Sequence, residues 1–224
     1  MAFDGLLVTE IFHSLQGETS HSGLPYAFVR LTGCNLRCSY CDSQYAFHGG
    51  TRMEIDDVLA RIKPMGVSHV LLTGGEPLLQ RQTPELVDRL RAAGYSVSIE
   101  THGEVSLEPV AGRARIVMDI KTPGSGMSRG GWENNLRYLG PSDEVKFVIT
   151  SQDDYFWARA VVESGRLGDR EILFSAAQPV ATPLAPYAGV ELKWLAERIL
   201  EDRLKVRLQV QLHKLIWGAE KTGV

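Results

Sequence analysis

The sequence predicts an α/β fold built on a largely parallel sheet. Short apolar runs alternate with amphipathic stretches, and helix-start and helix-stop residues mark the changes. The residues able to do chemistry follow the apolar runs. Ligands on such sheets gather at the carboxyl ends of the strands, so those residues are expected on one rim. Taken in order, Tyr26 to Leu31 (YAFVRL) reads as a strand entering a cysteine-rich loop. Ile55 to Ile62 (IDDVLARI) reads as a helix closed by Pro64 and Gly66, and SHVLLTGG as a strand opening into glycines. TPELVDRLRAAG predicts a helix with Thr83 as N-cap, Pro84 at the first helical position and Gly94 as the stop. YSVSIET, RIVMDIK and EVKFVIT continue the strands, and DDYFWARAVVESG is the helix after them. EILFS precedes a proline-rich loop, AAQPVATPLAPYAG, and the helix VELKWLAERILED. VRLQVQLHK closes the pattern as a strand, before an irregular tail ending at Gly223 and Val224. With no internal repeat or low-complexity linker, residues 1–224 are expected to form one domain.

Composition excludes several function classes. A chain of 224 residues that is 44% hydrophobic and 23% charged can bury a core without disulfide staples. A net charge of −3 gives no bulk attraction to nucleic acid or to an anionic membrane. No stretch approaches the ~20 apolar residues of a membrane span. The opening MAFDGLLVTEIF carries Asp4 and Glu10 and no basic n-region, unlike a secretory signal. An odd count of cysteines fits no disulfide framework, and the expected location is a reducing cytoplasm.

All 3 cysteines fall within GCNLRCSYCDS, as Cys34, Cys38 and Cys41. Thiolates so close in a loop can converge on one metal centre. A zinc site completed by a histidine, His48 being nearest in sequence, is one reading. Three unrelated buried thiols are another. The third is a [4Fe–4S] cluster held by three thiolates, which leaves one iron with an open position for chemistry. Tyr40, just before the third cysteine, could cover a bound nucleobase or shield such a cluster.

The spacing C-x3-C-x-(aromatic)-C resembles the signature of radical S-adenosylmethionine (SAM) enzymes. A second element of that superfamily, a GGE motif after the next strand, is matched by Gly74, Gly75 and Glu76 in TGGEP. Read alone, TGGEP is an ordinary turn with Pro77 opening a helix. The stretch IFHSLQGETSHSGLPYAFVRLTGCNLRCSYCD narrows the resemblance to the 7-carboxy-7-deazaguanine synthases, and LLTGGEPLLQ, IETHG, DEVKFVI and VQLHKLIWG carry it through the chain. The resemblance implies an abbreviated (β/α) partial TIM barrel and a homodimer. It implies contraction of 6-carboxy-5,6,7,8-tetrahydropterin to 7-carboxy-7-deazaguanine with loss of ammonia, with a [4Fe–4S] cluster, SAM and Mg²⁺ as cofactors. A flavodoxin or ferredoxin would supply the electron.

The same resemblance implies roles for individual residues. Cys34, Cys38 and Cys41 would hold the cluster. Arg30 would bind the substrate carboxylate, for which a planar guanidinium suits better than an ammonium. Flanked by apolar YAFV and LTG, Arg30 is not placed as an ordinary surface charge. Leu15, Gln16 and Gly17 would form a substrate loop, Gln16 offering donor and acceptor and Gly17 close backbone approach. Thr73 and His213 would also face the substrate; a histidine on an apolar strand is otherwise structural. SAM would meet Tyr40, Cys41, Asp42, Gly75 and Glu76, with Asp119, Ile120, Lys121, Gln178 and Pro179 further along. Ser43 stands where the family commonly has a Mg²⁺-binding threonine; otherwise it is a turn serine capping a backbone amide. DIK departs from the Ser-Pro-Lys of some members, and His102 stands where asparagine is common. Another small radical SAM enzyme acting on a protein, or a metal-stabilised binding module, would share the cysteines but not SLQGE or QLHK.

Overall fold

The protein is described by a computed structural model covering residues 5–177, 180–182, 185–187, 189–218 and 221–224. The chain runs β1 (Leu6–Leu15), β2 (Pro25–Leu31), β3 (Thr51–Met53), α1 (Ile55–Ile62), β4 (His69–Gly74), α2 (Thr83–Ala92), β5 (Ser96–Thr101), β6 (Arg115–Ile120), β7 (Glu144–Ile149), α3 (Gln152–Glu163), β8 (Glu171–Ala176), β9 (Val180–Thr182), β10 (Ala185–Tyr187), α4 (Leu192–Glu201), β11 (Arg207–Gln209) and α5 (Leu212–Trp217). Nine strands form one sheet in the order β11-β8-β7-β6-β5-β4-β2-β1-β3. Every pair from β11 to β2 is parallel. β1 pairs antiparallel with both β2 and β3 at one edge. Among the described residues the two ends of the order, β11 and β3, do not pair, so the barrel stays open.

Each parallel strand shows two faces through the period of two. Ala27, Val29 and Leu31 of β2, Val70 and Leu72 of β4, and Val145, Phe147 and Ile149 of β7 join one large core beneath the helices. The alternate residues Phe28, Arg30, Leu71, Thr73, Glu100, Val117, Asp119, Lys146 and Ser175 line a cavity on the other face. That concave face therefore combines a few apolar contacts with one polar or charged residue from nearly every strand.

The helices form for local reasons that agree with this packing. α1 carries Asp56 and Asp57 in its first turn and Arg61 in its last, matching the helix dipole, while Ile55, Val58 and Ile62 are buried. α2 buries Leu86, Val87 and Leu90. Between β5 and β6, and between β6 and β7, the connections carry 3-10 turns, Glu108–Val110 and Gly131–Tyr138, in place of α-helices. That is where the barrel is abbreviated.

Several expectations are corrected. Thr83 is not the N-cap: Gln82 holds that position, and Thr83 lies inside α2 with its hydroxyl donating to the Pro77 carbonyl at 2.5 Å. The apolar opening is a full strand, β1, not read from the sequence. The proline-rich loop contains the backbone hairpin β9–β10. VRLQVQLHK is a strand only over Arg207–Gln209, and His213 lies on the helix α5.

Candidate active site

The carboxyl ends of β2, β4, β5, β6, β7 and β8 open into one cavity of about 410 Å³. Cys34, Cys38, Tyr40, Cys41, Asp42 and Ser43 form part of its wall, facing Gly74, Gly75, Asp119 and Lys121. Leu15, Gln16, Gly17, Arg30, Thr73 and His213 line the same cavity. Two expected residues do not open into it. Ile120 is fully buried in the core. Glu76 is also fully buried. Gln178 and Pro179 lie outside the described residues.

The cysteine loop and the glycine turn are joined through the backbone. Gly75 donates to the Leu31 carbonyl at 3.0 Å, and Glu76 to the Gly33 carbonyl at 2.7 Å. The Glu76 carboxylate points inward, accepting from Leu78 N at 3.0 Å, His102 N at 2.9 Å and the Thr101 hydroxyl at 2.9 Å. It caps the 3-10 turn Pro77–Leu79, so the ordinary turn expected of TGGEP is also present. Burial pushes the Glu76 carboxyl up, against the pull of these donors. His102 fixes the second side of the join. Its Nδ1 accepts from Glu104 N at 3.0 Å, so its Nε2 carries the proton and donates to Asn35 Oδ1 at 2.8 Å. Burial, followed by the charge of Lys121, lowers His102 to about 4.

Where the cysteine loop leaves the cavity wall, Arg30 Nε donates to Glu10 Oε1 at 2.7 Å, and Arg30 Nη1 approaches Ser43 Oγ at 3.4 Å. Ser43 precedes the 3-10 turn Gln44–Ala46 without capping it; its hydroxyl donates to Asp42 Oδ1 at 3.0 Å. Lys214 Nζ donates to Asp42 Oδ2 at 2.7 Å. Burial would raise Asp42, but Lys214 and the Ser43 hydroxyl hold it well below the carboxylate range. Gln16 is buried, and its Oε1 accepts from Glu18 N at 3.1 Å. Leu212 N donates to the Gly17 carbonyl at 2.9 Å, which brings α5 and His213 onto this loop.

The radical SAM superfamily profile, "Radical SAM superfamily", matches residues 28–122. A 7-carboxy-7-deazaguanine synthase of Koribacter versatilis is 43% identical over 224 residues, covering 97% of this chain and 99% of that protein. A second, from Chlorobaculum tepidum, is 41% identical and covers 98% of this chain and 97% of that one. The chain belongs to the 7-carboxy-7-deazaguanine synthase family. The crystal structure of QueE from Escherichia coli shares the fold, with a TM-score of 0.68 at 20% identity, covering 91% of this chain and 93% of that one. The expected partial TIM barrel of radical SAM type, with a mixed, mostly parallel sheet, is the fold observed.

Membership of a radical SAM family implies SAM and an iron–sulfur cluster, and the residues present can be tested for fit. Among the described residues, no three His, Cys, Asp or Glu side chains gather around one point as a formed metal site. The donor set itself fits. All three thiols are free and share one cavity wall. Leu36 N donates to Cys34 Sγ at 3.4 Å, and the Ser43 amide to Cys41. Three soft donors with no fourth suit iron in a cluster that keeps one open position. Burial pushes Cys38 up to about 11 and raises Cys41, a preference that bound metal reverses because thiolate is the ligand. Beside this wall, Tyr40 Oη and Asp119 Oδ1 are buried without a partner in the described structure. Such orphaned oxygens fit a polar ligand like SAM.

Some charged residues of this cavity were not singled out from the sequence. Lys146 Nζ donates to Glu18 Oε2 at 2.7 Å and lies 3.5 Å from Asp119. Burial would raise Glu18, but Lys146 and Gln211 hold it well below its usual value. Glu100 accepts from the Thr73 hydroxyl at 3.2 Å and is raised by burial. The signal was available: a charge at alternate positions of an apolar strand, as in SIET and EVKFVI, is the pattern already visible at Arg30.

Proposed function

We infer that this chain is the radical SAM enzyme that contracts 6-carboxy-5,6,7,8-tetrahydropterin to 7-carboxy-7-deazaguanine with loss of ammonia, in 7-deazapurine and queuosine biosynthesis. The observation that carries this is similarity to such synthases along 97% of the chain. The cavity adds a physical argument: a thiol wall and a polar, ring-sized wall open into the same space. The chain acts as one catalytic unit over residues 1–224, as a homodimer, and takes electrons from a flavodoxin or ferredoxin.

Cys34, Cys38 and Cys41 would hold a [4Fe–4S] cluster, with SAM against Tyr40, Asp42, Gly75, Asp119 and Lys121. When bound and reduced, this pair supplies hydrogen-atom abstraction from the substrate. The remaining work belongs to side chains of the chain. Arg30 holds the substrate carboxylate through a charge-assisted pair. Gln16 and Thr73 hydrogen-bond the edges of the pterin, and His213 closes on it from α5. Phe28, Leu71 and Val117 give the ring an apolar floor. Ser43 offers a hard oxygen to Mg²⁺, which also takes substrate oxygens and water. Glu76 acts from behind the wall, holding the Gly74–Gly75 turn in place through its inward hydrogen bonds.

The test is anaerobic reconstitution followed by turnover with the carboxytetrahydropterin, SAM and a reductant. Formation of 7-carboxy-7-deazaguanine supports the assignment. Iron–sulfur incorporation without product overturns the substrate, and tightly bound zinc without a cluster overturns the cofactor.

A further inference from the structure

The ladder between β1 and β2 carries one irregularity. Val8 pairs with Leu31, and the next pair is Glu10 with Arg30, so Thr9 is an extra residue in β1. A bulge re-aims the side chains that follow it. Leu6 and Val8 lie in the main core, and an unbroken period of two would send Glu10 there as well. Beyond Thr9 the phase changes. Ile11 packs on the main core, while Phe12 joins the cavity-side cluster and stacks on Phe28 at 4.9 Å. Glu10 is thereby set opposite Arg30, whose Nε donates to Glu10 Oε1 at 2.7 Å. The same oxygen accepts the Tyr45 hydroxyl at 2.8 Å. The rings of Phe12 and Tyr45 flank the guanidinium at 5.9 and 5.7 Å.

A guanidinium can meet a carboxylate side-on, through Nε and one Nη, or end-on, through both Nη groups. Glu10 occupies Nε, and Nη1 makes only the long 3.4 Å approach to Ser43 Oγ, which leaves the end-on edge as the one a ligand in the cavity can take. We propose that Glu10 is a positioning residue for substrate recognition: aimed by the bulge at Thr9 and braced by Tyr45, it holds Arg30 so that the substrate carboxylate is received end-on. The inference rests on Arg30 being the carboxylate site. Two features follow from the geometry. The acceptor matters more than its charge, because a glutamine oxygen can still accept from Nε and from Tyr45. The effect is specific to the carboxylate, because Glu10 itself does not line the cavity and acts on a ligand only through Arg30.

The test measures dissociation constants in the cluster-loaded protein without reductant, so that binding is read apart from turnover. The probes are 6-carboxytetrahydropterin and tetrahydropterin lacking the carboxylate. Glu10→Ala is expected to weaken the carboxylated ligand about tenfold, the scale of one charge-assisted bond held poorly. Glu10→Gln should recover most of that loss. Neither substitution should shift the ligand without a carboxylate, and in turnover KM should move while kcat holds. Equal weakening of both ligands by Glu10→Ala would make Glu10 merely structural and overturn the proposal, as would a silent Glu10→Ala or a Glu10→Gln as poor as the alanine. Arg30→Ala separates the two claims. If it weakens the carboxylated ligand while Glu10→Ala does not, only the positioning role fails. If Arg30→Ala itself is silent, the assignment of Arg30 fails and takes the clamp with it.

Discussion

Ser43 has a hydroxyl that satisfies no backbone amide; it lies between the Asp42 carboxylate and the Arg30 guanidinium. A hard oxygen beside an ionised carboxylate suits Mg²⁺, whereas the thiols two and five positions back suit iron. Ser43→Ala should therefore lower turnover and flatten its Mg²⁺ dependence while iron content stays unchanged; Ser43→Thr should keep both. A Mg²⁺ titration of activity, read beside iron analysis, checks this. Arg30→Lys keeps the charge but loses the fork, and a loss of about 2 kcal/mol should raise the substrate dissociation constant by more than tenfold. Binding titration with the carboxytetrahydropterin reads it directly. The cysteines and Arg30 were legible because their chemistry is rare or out of place in its local sequence. Lys146 carried the same signal, a charge inside the apolar run EVKFVI, but Glu18 carried none, because a loop carboxylate is ordinary until the fold brings it to a partner 128 positions away. Neither position alone states that pairing.

Helix α5 shows what local pattern conceals at the scale of an element. VRLQVQLHK alternates like a strand, yet from Leu212 the chain turns helical because tertiary contacts override that period. Leu212 N bonds Gly17, Gln211 bonds Glu18 at 2.9 Å, and Lys214 bonds Asp42, so one short helix ties the loop around Gly17 to the cysteine loop. β1 escaped notice for a related reason: the bulge at Thr9 breaks the alternation that announces a strand. The parallel strands were readable because each is bounded by turn residues and buried on its core face. Two glycines test the joins between these elements. A Cβ at Gly75 would collide with the carbonyl oxygen of Gly33, and backbone cannot swing aside. Gly75→Ala should pry the glycine turn from the cysteine loop, with a fall in cluster incorporation measured as iron per chain. A Cβ at Gly17 would instead strike the His213 ring. Gly17→Ala should cost about 1–3 kcal/mol, and the added change His213→Ala should recover part of it, since a side chain can be removed where a carbonyl cannot. Denaturation of the single and double variants provides the comparison.

Across the whole molecule, acid should destabilise the fold through histidines that burial keeps neutral. His102, His21 and His213 all have lowered affinity for a proton in the folded chain, with burial the largest cause for each. His102 is the clearest case, moving from 6.5 to about 4 while its ring is held between Glu104 N and Asn35. The sign follows from proton counting. The unfolded chain takes up a proton on His102 near 6.5, and the folded chain resists until about 4. Stability from this neutral histidine is therefore complete above 6.5 and is lost as pH falls through about 4. Between about pH 7.5 and about pH 5 the loss amounts to about 2 kcal/mol. The raised carboxyls of Glu76 and Glu100 oppose it, since each gains a proton more readily when folded. The histidine contribution is then isolated by difference. Urea unfolding of the metal-free chain, wild type against His102→Asn, should show a stability gap that shifts against the wild type by about 2 kcal/mol on acidification. Asparagine cannot titrate, but its side chain still offers a donor toward Asn35. A gap that stays constant across this range would mean that His102 takes up its proton as readily in the folded chain as in the unfolded one, and with it that the acceptor role of Nδ1 toward Glu104 N is wrongly drawn.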